Sequence, residues 1–205
     1  YGLVVAQQFI AGGSVRYALV IGSEVLSSIT DWQDRNTCVL FGDGAGAAIL
    51  SEVKSGGILS TYLGTDGTKA DLLKIPGGGS RNPASRLTLN RKLHYIKMQG
   101  NELFKSAVKI MLESAQIAIK RARLAPEDID LIIPHQANVR IIMAMAKRLG
   151  LPLERIYLNI HKYGNMASAS LATALCEAVK EGRIKRGDNI LLDGFGAGLV
   201  WGACV

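Results

Sequence analysis

The sequence predicts an α/β fold, and three observations carry that prediction. Short β-like runs alternate with helical stretches, the pattern of layered helix and sheet. Two distant segments, 38–50 and 190–205, share an apolar run, a Gly-Ala-Gly step and a second apolar run. With 48% hydrophobic against 20% charged residues, the 205-residue chain has apolar material for one sizeable core and none of the composition of disorder.

Taken in order, residues 1–10 read as an apolar helix ended by Gly12-Gly13, and such a start is expected to lie inside a larger protein. Strands are predicted at 17–21, 37–41 and 47–52, then a helix at 101–123, a strand at 129–133 and a helix at 137–149. A further helix is expected over 165–181, closed by Gly182, and β-like runs at 189–193 and 199–205 finish the chain. The shared Gly-Ala-Gly segments predict a duplicated architecture in which two halves end with the same hairpin. Between them, residues 69–99 hold Pro76-Gly77-Gly78-Gly79-Ser80 and read as a long functional cover or excursion.

The longest apolar runs, near 1–6 and 130–134, fall far short of the roughly 20 residues that span a bilayer, so no membrane helix is expected. Cys38, Cys176 and Cys204 lie apart in apolar settings without metal or disulfide spacing, which reads as reduced thiols in a cytoplasmic protein and predicts no metal site. A formal charge of +7 calls for an acidic partner without choosing among nucleic acid, lipid and protein.

Local chemistry narrows the search. Gly42 to Ala47 fits a dinucleotide-binding pattern formally, but the residues after it read as strand, where the pyrophosphate needs a helix N-terminus. Ile132-Ile133-Pro134-His135-Gln136-Ala137-Asn138 places a histidine and amides between a strand's C-terminal end and a helix, the usual ligand position in α/β sheets. Tyr163-Gly164-Asn165-Met166-Ala167-Ser168 places an asparagine at the opening of a helix rich in small residues, as an N-cap or as a donor to a substrate carbonyl. The 137–149 helix separates Ile141, Ile142, Met145 and Leu149 from a basic arc of Arg140, Lys147 and Arg148. His94 and His161 have no comparable setting.

Five segments in order then resemble β-ketoacyl-acyl-carrier-protein synthase III: Phe41-Gly-Asp-Gly-Ala-Gly-Ala-Ala48, Met98-Gln-Gly-Asn-Glu-Leu-Phe-Lys105, Pro134-His-Gln-Ala-Asn-Val-Arg140, Tyr163-Gly-Asn-Met-Ala-Ser168 and Gly194-Phe-Gly-Ala-Gly-Leu-Val-Trp-Gly202. The resemblance covers the C-terminal two-thirds of that family's pattern. It implies a thiolase-like fold of two pseudo-duplicated α/β halves, the N-terminal one truncated here, with 1–54 completing one half and 55–205 forming the other. It also implies a cytoplasmic homodimer that binds neither nucleic acid nor membrane and has no permanently bound cofactor. Its substrates would be acyl-CoA and a phosphopantetheine-linked malonyl group on acyl carrier protein, joined in a decarboxylative Claisen condensation that starts fatty acid synthesis.

By the same resemblance, His135 and Asn165 match the donors to the malonyl thioester carbonyl, and Ala197 stands at a backbone oxyanion donor where glycine is commoner. Arg35, Gly100, Phe104 and Asn138 match the lining of the CoA and phosphopantetheine channel. Lys105, Gln136, Arg140, Lys147 and Arg148 match the docking surface for the carrier protein. The family's nucleophilic cysteine stands in an Ala-Cys-x-Gly-Phe-x-Tyr context that this sequence does not contain, so the chain alone is expected to form no acyl-enzyme. Type III polyketide synthases, hydroxymethylglutaryl-CoA synthase and a non-catalytic condensing-enzyme partner are the competing assignments. The paired His-Gln-Ala-Asn and Tyr-Gly-Asn-Met segments disfavour all three.

Overall fold

Small residues decide how the first layers meet. In the computed structural model, which describes Tyr1 to Val205, helix α1 (Gly2–Ala11) stops at Gly12 and leads to strand β1 (Tyr17–Val25). β1 pairs antiparallel with β2 (Asp43–Ser51), Tyr17 opposite Ser51 and Val25 opposite Asp43. One face of this two-stranded sheet packs on helix α6 (Ser168–Lys180) and on α1. A Cβ at Gly46 would lie 2.6 Å from the Ala172 Cβ, and one at Gly22 would lie 2.7 Å from the Ser168 carbonyl oxygen. Only glycine permits that approach.

A four-stranded sheet forms the second β layer, in the order β3 (Thr61–Thr65), β8 (Val200–Cys204), β7 (Ile190–Gly196), β6 (Leu131–Pro134), with β6 parallel to β7 and the other pairs antiparallel. Helices α3 (Gly100–Arg121) and α4 (Val139–Leu149) cover one face of it. Their apolar stripes meet the sheet in the main core, where Met111, Ile132, Ile142, Met145 and Leu191 are fully buried. α6 covers the other face through Ala174 and Ala178, against Leu131 and Ile133. β6 is buried at every position, as expected of a strand with helices on both sides. No helix is long and apolar enough to cross a membrane.

Several expected elements are corrected. Residues 37–41 form a turn rather than a strand: the Asp34 carbonyl accepts from the Thr37 and Cys38 N–H groups at 3.1 and 2.9 Å, and its carboxylate accepts from the Thr37 hydroxyl. These local acceptors capture donors that a strand needs for its ladder. Gly44-Ala45-Gly46 lies inside β2, so the first copy of the expected hairpin does not form, whereas the second does, as β7 and β8 joined at Ala197 to Leu199. The excursion over 69–99 contains a short pair, β4 (Leu73–Lys74) with β5 (Lys97–Met98), and helix α2 (Arg86–Asn90) with a capping box from Ser85 and Thr88. The expected helix at 165 starts only at Ser168, because Ala167 adopts φ 43°, outside helical space.

Candidate active site

Strand ends and helix starts converge on one cavity of ≈ 1350 Å³, walled by the beginnings of α1 and α3, by β1, by the β6–α4 turn, by the loop before α6 and by the β7–β8 hairpin. His135 follows β6 directly. Its backbone N–H donates to the Asp193 carbonyl at 2.7 Å, which carries the β6–β7 pairing one residue past the strand. The ring meets Phe195 edge-on at 5.7 Å, and a Cβ at Gly194 would press on His135 at 3.3 Å. Burial pulls the imidazole down to about 4, so the ring is neutral at pH 7 and offers one N–H donor.

Asn165 lines the same cavity, carried by a different segment of the chain. Helix α5 (Ile160–Tyr163) ends at Gly164, whose φ of 69° turns the chain, and Asn165 then bridges to Phe41. Its N–H donates to the Leu40 carbonyl and its carbonyl accepts from Gly42, both at 2.9 Å. The side-chain oxygen accepts from the Ala167 N–H at 2.9 Å. A backbone N–H can be met only by the amide oxygen, so the Asn165 NH2 is left as the donor. Asn165 is thus not the helix N-cap that its position in sequence allowed. Glu24, from β1, takes over that end of α6 by accepting from the Ser168 N–H at 3.2 Å.

The other expected residues sort by position. Ala197 lies exposed in the β7–β8 turn, lines the cavity and is not among the residues with positive φ, so its methyl group leaves the backbone donor unstrained. Gly100, Phe104 and Asn138 also line the cavity, and the Asn138 side chain caps α4 by accepting from the Arg140 N–H at 2.9 Å. Arg140 and Lys105 stand at the rim, the Arg140 guanidinium 5.6 Å from the Phe104 ring centre and Lys105 3.0 Å from Glu102. Arg35 sits on the exposed turn beside the lining residue Asn36. Lys147 and Arg148 are exposed on α4, outside the cavity.

Gln136 requires a correction. Expected on a docking surface, it is 0% exposed, and all its polar valences are used inside the protein: NH2 to the Pro134 and Tyr157 carbonyls at 2.8 and 3.1 Å, oxygen from the Asn159 and Ile160 N–H groups at 3.1 and 3.2 Å. Its amide faces inward and presents nothing to a partner.

Cys204 borders the cavity, but burial pushes its thiol up to about 11, which leaves it un-ionised and a poor nucleophile. Cys38 is half-buried and Cys176 exposed, and neither lines the cavity. His94 pairs with the Thr88 hydroxyl at 2.9 Å and His161 is exposed, in keeping with structural or surface roles. Sequence reasoning passed over Asp193, a fully buried carboxyl that meets the Ser114 hydroxyl at 2.7 Å on the far side of β7. Its signal was available: one acid inside the apolar run Ile190-Leu-Leu-Asp193.

The chain is similar to known proteins along its whole length. The model for 3-oxoacyl-[acyl-carrier-protein (ACP)] synthase III matches residues 1–67, and that for the C-terminal part of the same synthase matches residues 119–205. Among curated proteins, the chain is similar to beta-ketoacyl-[acyl-carrier-protein] synthase III of Caldanaerobacter subterraneus subsp. tengcongensis, at 56% identity over 206 residues, and to that of Clostridioides difficile, at 52% over 205. Each match covers 100% of this chain and 62% of the relative. Among solved structures it is similar to the synthase III of Thermus thermophilus, with TM-score 0.91 and 45% identity over 100% of this chain and 63% of that one. The Aquifex aeolicus VF5 synthase III gives 0.89 and 45% over 100% and 62%. The chain therefore spans about 62% of the length of these curated relatives and shares their thiolase-like α/β fold.

Proposed function

We propose, since the chain belongs to the β-ketoacyl-acyl-carrier-protein synthase III family, that its cavity performs the decarboxylation half of a Claisen condensation between an acyl-CoA primer and malonyl-acyl carrier protein. The observation that supports this reading most is the presence of two neutral donors, His135 and the Asn165 NH2, in the lining of one cavity. As the malonyl carboxylate leaves as carbon dioxide, its electron pair moves toward the thioester carbonyl, and negative charge grows on that oxygen. A donor fixed beforehand at such an oxygen contributes about 3 kcal/mol to the barrier reduction. The carbanion then attacks the carbonyl carbon of an acyl group held on a cysteine; the Ala197 N–H faces the oxyanion so formed, which collapses by breaking the carbon–sulfur bond and releasing the cysteine thiolate. The cysteine belongs to the family pattern and not to the residues of this chain.

In this reading Gly100, Phe104 and Asn138 line the phosphopantetheine path, with Arg35 at its outer end. Lys105, Arg140, Lys147 and Arg148 receive the acidic carrier protein. The protein acts as a cytoplasmic homodimer, residues 1–54 completing one thiolase-like half and 55–205 forming the other. A substrate panel on the full-length protein tests the assignment: turnover with malonyl-carrier protein as extender supports it, while turnover with malonyl-CoA alone assigns the protein to polyketide-type chemistry instead.

A further inference from the structure

We propose that Gln136 is a positioning residue that locks the two enolate donors to one another, with the Tyr163–Glu177 bond as the outer clasp of the same lock. This rests on the assignment of His135 and Asn165 as those donors. Gln136 is the next residue after His135, and its NH2 is bonded to the Pro134 carbonyl, so it belongs to the arm that carries the histidine. Its oxygen accepts from the Asn159 and Ile160 N–H groups, the residues that start α5, and α5 runs one turn to Tyr163 before the chain reaches Asn165. One buried amide therefore holds both arms. The Tyr157 carbonyl, bonded to the same NH2 at 3.1 Å, ties in the segment that leads to α5.

The clasp lies on the other side of that segment. The Tyr163 hydroxyl and the Asn159 NH2 both donate to the Glu177 carboxylate on α6, the latter at 2.9 Å, and Lys162 adds a longer contact at 3.5 Å. The segment is thus gripped by Gln136 from the β6 side and by Glu177 from the α6 side, while the Asn165 backbone is pinned at Leu40 and Gly42. The grip leaves the substrate untouched. It fixes where the Asn165 NH2 stands relative to the His135 ring, and displacing such a group by about 1 Å costs on the order of a hundredfold in rate.

The test uses the full-length protein and compares two half-reactions in Gln136→Met, which keeps the length without hydrogen bonds, and in Gln136→Glu, which keeps acceptors for Asn159 and Ile160. The expected result is a fall in kcat for malonyl decarboxylation of about thirtyfold to a hundredfold in Q136M and less in Q136E. KM for the malonyl donor and the rate of acyl transfer to cysteine should stay within about twofold in both. Parallel loss of both half-reactions, as from a general loss of folded protein, overturns the proposal, and so does wild-type decarboxylation in Q136M. If Q136M does not fold, Tyr163→Phe removes the clasp at a surface position: a selective loss of about threefold in decarboxylation supports the lock, and no change overturns it. His135→Ala separates the two levels of the argument. Unchanged decarboxylation in H135A overturns the donor assignment and the lock with it, whereas a loss in H135A without one in Q136M overturns the lock alone.

Discussion

His135 and Asp193 are joined by a backbone hydrogen bond, yet burial moves their protonation in opposite directions. The histidine falls from 6.5 to about 4, so the stability linked to its neutral ring is fully present above pH 6.5 and is lost as the pH falls toward 4. The carboxyl rises from 3.8 to about 8, so the stability linked to its protonated form is fully present below 3.8 and is lost as the pH rises through 8. A neutral carboxyl suits the geometry, since one Asp193 oxygen meets Ser114 and the other has no partner. Asp193→Asn imitates that neutral form. The melting temperature of D193N should match wild type near pH 4.5 and exceed it by several degrees near pH 8.5, and calorimetry across that range would show a pH-independent difference if Asp193 were ionised throughout. By the same logic, decarboxylation should show no acid limb from His135 between pH 8 and 5.5, a profile that stopped-flow carbon dioxide release can record.

At the scale of elements, the glycines of β1 and β2 set the seat of α6, and α6 carries the Asn165 loop at its front. Gly46→Val places a branched side chain where a single Cβ already lies 2.6 Å from Ala172, so the layers must separate. We expect a loss of about 2–3 kcal/mol, read as a drop in melting temperature of several degrees. Elements with strong periodicity were legible in the sequence. α3 and α4 fell within two residues of expectation, and Ile141, Ile142, Met145 and Leu149 are buried as their spacing required. The misreadings have local causes. Residues 37–41 carry β-forming side chains, but Asp34 turns them, and the Gly-Ala-Gly of β2 reads as a turn until α6 is present to require small residues. That Asn165 is not a helix cap was not legible, because neither the positive φ at Ala167 nor the contact of Ser168 with Glu24, 144 positions away, is written in the neighbouring residues. Gln136 was carried to the docking surface by resemblance alone, and the four partners that turn its amide inward come from segments up to 24 residues away in sequence.

For the whole molecule, the charge of +7 acquires a direction from Arg140 at the cavity rim and from Lys147 and Arg148, exposed further along α4. Lys147→Glu with Arg148→Glu should raise KM for malonyl-carrier protein about tenfold and leave acyl-CoA loading unchanged; equal effects on both would place docking elsewhere. A second surface stands out. The outer face of the β1–β2 sheet exposes Tyr17, Leu19, Ile21, Val25 and Ile49, each more than 60% accessible, an apolar row too continuous for an ordinary monomer surface. The 205-residue chain alone is expected to self-associate through it, and Leu19→Lys with Ile21→Lys should restore a 21.9 kDa species in light scattering.

The measurement closest to the centre of the account is carbon dioxide release from malonyl-carrier protein by the full-length protein and by its His135→Ala and Asn165→Ala variants, with acyl loading of the cysteine followed in parallel by intact mass. Two preorganised donors acting on one growing oxyanion predict a loss of release of about 10²- to 10³-fold in each variant, with acyl loading within about twofold of wild type. Unchanged release, or equal loss of release and loading, would contradict the assignment of this cavity.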